Sequence, residues 1–136
     1  MAGLVLQGHP GIGPRVEGEV LSAKDNFSAR YDLDRSVGVF SRPRHALYGE
    51  SYVDRILVLD IAKGGVATAW MLNDMKARGL APKALLLNCA NPIMAQGAAF
   101  AGMAMIDRFE TDVTEALATG MRVVVDPGTG RVEVVE

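Results

Sequence analysis

The distribution of apolar and polar positions predicts a mixed α/β fold. Residues 56–61 and 84–88 are apolar over the length of a strand, a pattern typical of strands buried on both faces of a parallel sheet. Each run leads through a turn containing glycine or asparagine into a helix-like segment. This repeated strand–turn–helix unit favours parallel strands joined by right-handed crossovers.

Further strands are predicted on both sides of this small parallel core. Residues 16–23 alternate apolar and charged side chains, which indicates a half-exposed strand, and residues 37–40 and 103–106 form shorter strands. Near the C-terminus, two valine-rich runs flank Pro127-Gly128-Thr129-Gly130 and predict a terminal β-hairpin. We therefore expect a single domain over residues 1–136, in which residues 1–15 form an irregular lead-in.

Two of the predicted helices raise questions about individual side chains. The helix over residues 66–78 is apolar through its first half, so we expect Trp70 either in the core or buried at a subunit interface. Cys89 follows the second buried strand, near the start of the helix over residues 93–101. A buried, inert thiol is the favoured hypothesis for Cys89, and a stabilised thiolate is the alternative.

Composition excludes several classes of function. The chain has 136 residues, 49% hydrophobic and 22% charged, with a net charge of −2, which gives no electrostatic reason to expect nucleic acid. A single cysteine and two isolated histidines predict no metal or cofactor bound by this chain. The N-terminal apolar run is too short for a signal peptide, so we expect no membrane contact and a reduced, cytoplasmic setting.

The strongest candidate site is Lys63-Gly64-Gly65, between the first buried strand and its helix. Glycines allow the backbone to approach a ligand closely, and the first N–H groups of the helix have no partner within it. With Lys63 they would bind a carboxylate or a phosphate. The alternative is a tight connection with a solvated lysine, because neither the Walker nor the dinucleotide-binding spacing is present.

A second candidate lies in Arg42-Pro43-Arg44-His45. Arg42, Arg44 and His45 place three cationic or potentially cationic groups within four residues, a cluster that would attract an acidic substrate. The alternative is a solvated loop stiffened by proline. No complete active site emerges from the chain, which suggests a subunit that completes the site of another protein.

These stretches resemble the small subunit of aconitase X, known as its swivel domain. The similarity lies in residues 34–40, 45–51 and 55–59, in the Lys63-Gly64-Gly65 turn, and in two later stretches, and it extends from about Val16 to Val135. The resemblance implies a swivelling β/β/α fold and a larger catalytic subunit that carries an iron–sulfur cluster or another metal. It also implies a hydro-lyase reaction on a small hydroxy acid such as cis-3-hydroxy-L-proline or phosphomevalonate, in which a base removes a proton next to a carboxylate.

The turn departs from the family pattern, which has serines where this chain has Gly65, Val66 and Ala67. Lys63 retains the positive charge of the family's arginine, and Thr68 is the nearest hydroxyl. We therefore expect Thr68 and Lys63 as the candidate catalytic groups, and Lys63, Gly64, Gly65, Arg42, Arg44 and His45 as the candidate substrate-binding residues. We expect the small subunit of a heterodimeric dehydratase; the alternative is a non-catalytic binding or assembly module on the same fold.

Overall fold

One mixed β-sheet organises the computed structural model, which describes residues 3–29, 31–63 and 66–136, without the side chains of Val66 and Thr68. Seven strands lie in the order β1-β9-β8-β2-β5-β6-β7, and β3 and β4 form a separate two-stranded sheet. The strands are β1 (Val5–Gln7), β2 (Val16–Ser22), β3 (Leu33–Asp34), β4 (Val39–Phe40), β5 (Ile56–Ile61), β6 (Ala84–Cys89), β7 (Ala104–Ile106), β8 (Arg122–Asp126) and β9 (Arg131–Val134).

Strand β2 joins the parallel and antiparallel halves of the sheet. Its residues 20–22 pair in parallel with residues 56–58 of β5, whereas its residues 16–19 pair antiparallel with residues 122–125 of β8. β5, β6 and β7 continue the parallel half, and β8 and β9 form the C-terminal hairpin. The predicted parallel core with antiparallel flanks is confirmed.

Strand β1 lies within the stretch predicted to be irregular and pairs antiparallel with β9. A strand of three residues is too short to be recognised from the alternation of apolar and polar positions. It also depends on pairing with β9, more than a hundred residues away, which the local sequence does not show.

Three helices follow the parallel strands: α1 (Val66–Ala77), α2 (Pro92–Ala101) and α3 (Val113–Ala116). The Asn91 side chain caps α2 by accepting the Met94 N–H at 2.8 Å, and Pro92 occupies the first helical position, where no donor is needed. Gly102 ends α2 with φ 66°, in the left-handed conformation that favours glycine. None of the described helices is long and apolar enough to cross a membrane.

The sheet separates two hydrophobic clusters. In β5, Leu57 and Leu59 belong to the cluster beneath α1 and α2, and Ile56 and Val58 belong to the cluster beneath α3. All four side chains are fully buried, as expected for a strand with both faces covered. The segment between β2 and β5 packs on the α1–α2 side, where Tyr52 meets the edge of the Phe40 ring at 5.9 Å.

Helices α1 and α2 are in close contact through small residues. A Cβ placed on Gly97 would lie 2.7 Å from the Cα of Ala69, so this crossing requires glycine. Beside this contact, Trp70 is 69% exposed and Phe100 is 83% exposed. The prediction of a core position for Trp70 is wrong, because Leu72 and Met75 form the buried side of α1 instead; burial of Trp70 at a subunit interface stays a prediction.

Candidate functional site

The candidate site lies at the carboxyl ends of β2 and β5, the edge where ligands bind in open α/β sheets. Beyond the regular strands the chain continues the pairing, with Phe27 bridging to Ala62 in parallel. The Phe27 N–H donates to the carbonyl of Ile61 at 2.9 Å, and the Lys63 N–H donates to the carbonyl of Phe27 at 2.7 Å. This pairing places the loop after β2 beside the turn after β5.

A cleft of about 350 Å³ opens between this loop and this turn. Two cations face it from different parts of the chain: Lys63 follows β5, and Arg42 follows β4. Lys63 is exposed, and within the described part of the chain its ammonium group makes no hydrogen bond or ion pair. The cleft is lined by Asn26, Ser28, Tyr31, Asp32, Arg42 and Lys63.

Asp32 holds the wall of the cleft together. Only 3% exposed, its carboxylate accepts the Ser28 N–H at 3.0 Å through Oδ2 and the Arg42 Nε–H through Oδ1. Its backbone carbonyl accepts the N–H groups of Ser41 and Arg42. The charge-assisted bond fixes the Arg42 side chain, which is 38% exposed, at the rim of the cleft.

His45 lies behind this wall rather than in the cleft. Its side chain is fully buried and stacks on the Phe40 ring at 4.5 Å. Because Nδ1 accepts the Leu47 N–H at 3.0 Å, the ring proton of a neutral His45 is on Nε2, which donates to the Asn26 carbonyl at 2.8 Å. His45 therefore supports the backbone of the loop that lines the cleft.

Asp25 supports the same loop. Its carboxylate accepts the N–H groups of Asn26 at 2.7 Å and Ala46 at 3.0 Å. Burial alone would raise the pKa of Asp25, but the hydrogen bonds from the Ala46 and Asn26 N–H groups, with smaller contributions from the nearby His45 and Arg42, together lower it. Asp25 is thus an ionised structural group that joins the loop after β2 to the turn at Ala46.

The structure brings together Lys63 and Arg42, two of the residues predicted for the site. Arg44 is exposed and does not line the cleft, and His45 is shielded behind it. Gly64 and Gly65 lie outside the described residues. Thr68 is the third residue of α1, and its side chain lies outside the described part of the chain as well.

Sequence comparison identifies the type of domain that carries this cleft. Residues 5–134 match the aconitase X swivel domain. The chain belongs to the aconitase X swivel domain family. Its fold, predicted as a swivelling β/β/α domain, is thereby confirmed.

Curated relatives of this swivel domain match along nearly their whole length. The phosphomevalonate dehydratase small subunit of Methanococcoides burtonii is 34% identical over 120 residues, which cover 88% of each chain. That of Methanocella arvoryzae is 32% identical over 128 residues, covering 94% of this chain and 97% of the relative. The crystal structure of Thermococcus kodakaraensis aconitase X in its holo form superposes with a TM-score of 0.89 at 32% identity, covering 98% of this chain and all of the matched chain.

The side chains of this swivel domain do not suit an iron–sulfur cluster. Within the described ranges, no three His, Cys, Asp or Glu side chains are placed to hold a metal ion. The chain has one cysteine, whereas such clusters are held by several thiolates. Cys89 is exposed, so the expectation of a buried thiol is wrong: β6 ends at Cys89, beyond the core covered by α1 and α2.

A polar network on the opposite face of the sheet fastens α3 to the carboxyl edge. The Asn88 amide donates to Asp60 Oδ1 at 2.9 Å and to Asp112 Oδ1 at 2.8 Å. Hydrogen bonds from the Thr114 hydroxyl and the Asn88 amide hold the pKa of Asp112 well below its usual range. The sequence showed none of these partnerships, and it also missed Ser28 and Asp32, because their proximity depends on strand pairing.

Proposed function

We propose that this chain is the small subunit of an aconitase-X-type hydro-lyase and completes the active site of a larger, metal-cluster-bearing subunit. The observation that carries the proposal is the cleft, which presents Lys63 and Arg42 at the carboxyl edge of a swivel domain. A cleft with two cations and no metal site among its described residues suits substrate binding rather than a complete active site. We place the complex in the cytoplasm.

The substrate of the complex is a small hydroxy acid. Both relatives compared above are named as small subunits of phosphomevalonate dehydratase, so phosphomevalonate is the first substrate to test. Dehydration of such an acid removes a proton next to a carboxylate and expels a hydroxyl group. The cluster of the partner would assist the departure of hydroxide, and this chain would hold the anionic part of the substrate.

Lys63 is the principal binding residue in this proposal. Its ammonium is free to contact a substrate anion, and the N–H groups of Gly64 and Gly65, which precede α1 in the sequence, would add to that contact. Arg42, which also lines the cleft, would contact the same anion. Arg44 would act at a distance through its charge, and His45 would act indirectly by supporting the loop that lines the cleft. Thr68 is the candidate of this chain for proton transfer; Lys63 would take that role only if it did not bind the anion as an ammonium.

The test is co-expression of this chain with the product of the adjacent gene, followed by assay of the purified complex. We expect a larger partner that carries iron and a brown colour, and turnover of phosphomevalonate or cis-3-hydroxy-L-proline. Lys63→Ala is expected to raise KM at least about tenfold, because it removes a charged contact with the substrate. Lys76→Ala, an exposed lysine on α1 outside the cleft, is the matched control and should leave KM unchanged.

The second candidate function is a non-catalytic binding or assembly module. It is favoured by the turn itself, where Gly65, Val66 and Ala67 replace the serines of the family pattern. Under this hypothesis the complex would turn over neither hydroxy acid, and Lys63→Ala would leave ligand binding unchanged. That pair of results would refute the dehydratase proposal.

A further inference from the structure

Ser28 is a buried hydroxyl at the wall of the cleft with an unused hydrogen. The residue is 8% exposed, and its Oγ accepts the Tyr31 N–H at 3.4 Å. Among residues 3–29, 31–63 and 66–136, the Ser28 hydroxyl donates no hydrogen bond. Since buried polar hydrogens are normally satisfied, a hydroxyl left free at a cleft wall is available to a ligand.

Strand pairing sets Ser28 beside Lys63. Phe27 bridges to Ala62 in parallel register. The residues that follow them in the two paired segments, Ser28 and Lys63, therefore occupy neighbouring positions. Neighbouring strands lie about 4.8 Å apart, so side chains at neighbouring positions are close enough to contact the same small anion.

Asp32 also couples Ser28 to Arg42. One carboxylate oxygen accepts the Ser28 N–H, the other accepts the Arg42 Nε–H, and the Ser28 carbonyl in turn accepts the Asp32 N–H at 3.0 Å. The hydroxyl and the guanidinium are therefore held by one buried group. Such mutual support from partners behind a site is what keeps binding groups in fixed positions.

The charge of the cleft favours a monoanion. Lys63 and Arg42 bring two positive charges, and Asp32 neutralises one of them. The remaining single positive charge, together with a hydroxyl donor, matches a carboxylate better than a phosphate dianion.

We propose that Ser28 is a substrate-binding residue that donates its hydroxyl hydrogen to a carboxylate held between Arg42 and Lys63, with Asp32 as the positioning residue. This inference rests on the proposed function for its substrate, a hydroxy acid. It adds a hydroxyl from the loop after β2 to a turn that has lost the serines of its family.

The test is a titration of the isotope-labelled chain with 3-hydroxybutyrate, a hydroxy acid with one carboxylate, followed by NMR. We expect saturable shifts at residues of the cleft, and Ser28→Ala should weaken binding about tenfold, since it removes one hydrogen bond to a charged acceptor. Ser41→Ala removes an exposed hydroxyl near Arg42 but outside the cleft and should leave the affinity unchanged. Urea midpoints equal to that of the unsubstituted chain would show that both variants fold.

Inorganic phosphate at pH 8, where it is a dianion, is the second probe. Weaker binding of phosphate than of 3-hydroxybutyrate is expected from the single surplus charge. Tighter binding of phosphate would overturn the assignment to a carboxylate. Absence of saturable shifts in the unsubstituted chain, or equal affinities in that chain and Ser28→Ala, would overturn the role of Ser28.

The same variants in the complex with the larger subunit separate this inference from the proposed function. In an active complex, Ser28→Ala should raise KM more than it lowers kcat. An active complex with unchanged KM would refute the role of Ser28 and leave the dehydratase intact. An inactive complex, with 3-hydroxybutyrate binding still weakened by Ser28→Ala, would refute the dehydratase and leave the carboxylate subsite.

Discussion

Substitution of Asp32 by asparagine tests whether one buried carboxylate holds the wall of the cleft together. Asp32 is 3% exposed and accepts one hydrogen bond from the Ser28 N–H and one from the Arg42 Nε–H. Asparagine has nearly the same shape but only one side-chain oxygen. It can keep one of these two bonds, and its NH₂ group then faces the other donor.

The loss in free energy of unfolding expected for Asp32→Asn follows from these contacts. A hydrogen bond to a charged group contributes about 1.5–3 kcal/mol, and truncation of a buried ion pair costs about 3–5 kcal/mol. The Arg42 side chain is 38% exposed, so its guanidinium regains water and the cost falls towards the lower figure. We expect Asp32→Asn to lower the free energy of unfolding by about 2–3 kcal/mol, a large share of the roughly 5–15 kcal/mol typical of a domain.

The assay is urea unfolding of the isolated chain followed by circular dichroism. With a slope of about 1–3 kcal/mol per M urea, the expected loss lowers the midpoint by about 0.7–3 M. Asp54→Asn is the matched control, because Asp54 is exposed, makes no side-chain hydrogen bond within the described part of the chain, and has a φ of 57° that asparagine tolerates. An unchanged midpoint for Asp32→Asn, or an equal fall in both variants, would refute the bracing role of Asp32.

Three further predictions concern the packing of the chain. Tyr52→Phe removes a buried hydroxyl that has no hydrogen-bond partner, and should raise the free energy of unfolding by about 1 kcal/mol. Burial raises the pKa of Tyr52 to about 12, whereas the side chain ionises near 10 in the unfolded chain, so the folded protein loses stability between pH 10 and 12. Tyr52→Phe should lessen that loss. Gly97→Ala should lower the free energy of unfolding by about 1–3 kcal/mol despite the better helix propensity of alanine. Gly128→Ala should not, because the added Cβ would make only an ordinary van der Waals contact with Asp126 Oδ1 at 3.5 Å. Trp70→Ala should lower the free energy of unfolding by less than about 1 kcal/mol, whereas Leu72→Ala, at a fully buried position, should lower it by about 2–5 kcal/mol. If Trp70 lies at the interface with the larger subunit, Trp70→Ala should also weaken co-purification of the complex. Urea midpoints and yields of the complex check all three.

Local pattern was sufficient to predict most of the fold. The apolar run that became β5 and the glycine-containing turn of the C-terminal hairpin each act through their own few residues, so they are visible in the sequence. Trp70 and Cys89 were misplaced for a related reason. Apolar character predicts burial on average, but which side of a helix faces the sheet, and where a strand ends relative to its covering helices, are set by tertiary packing.

The site was only half predictable. Lys63 and Arg42 were visible as charges beside turns, but Ser28 and Asp32 were not, because nothing local distinguishes them from other polar loop residues. Their place in the cleft depends on the bridge between Phe27 and Ala62, a long-range contact that leaves no trace in the sequence pattern.

The cleft also constrains which subunit supplies the base of the proposed reaction. Of the described side chains that line it, Asp32 is the one carboxylate, and both of its oxygens already accept hydrogen bonds. Lys63 holds a substrate anion only as an ammonium, and an ammonium has no electron pair with which to accept a proton. The role of Lys63 in binding therefore conflicts with a role as base, so in the proposed reaction the proton acceptor would be a hydroxyl of this chain, such as that of Thr68, or a group of the larger subunit. In the proposed complex this chain would hold the anion and its partner would supply the metal, a division of labour in which neither subunit has a complete active site alone.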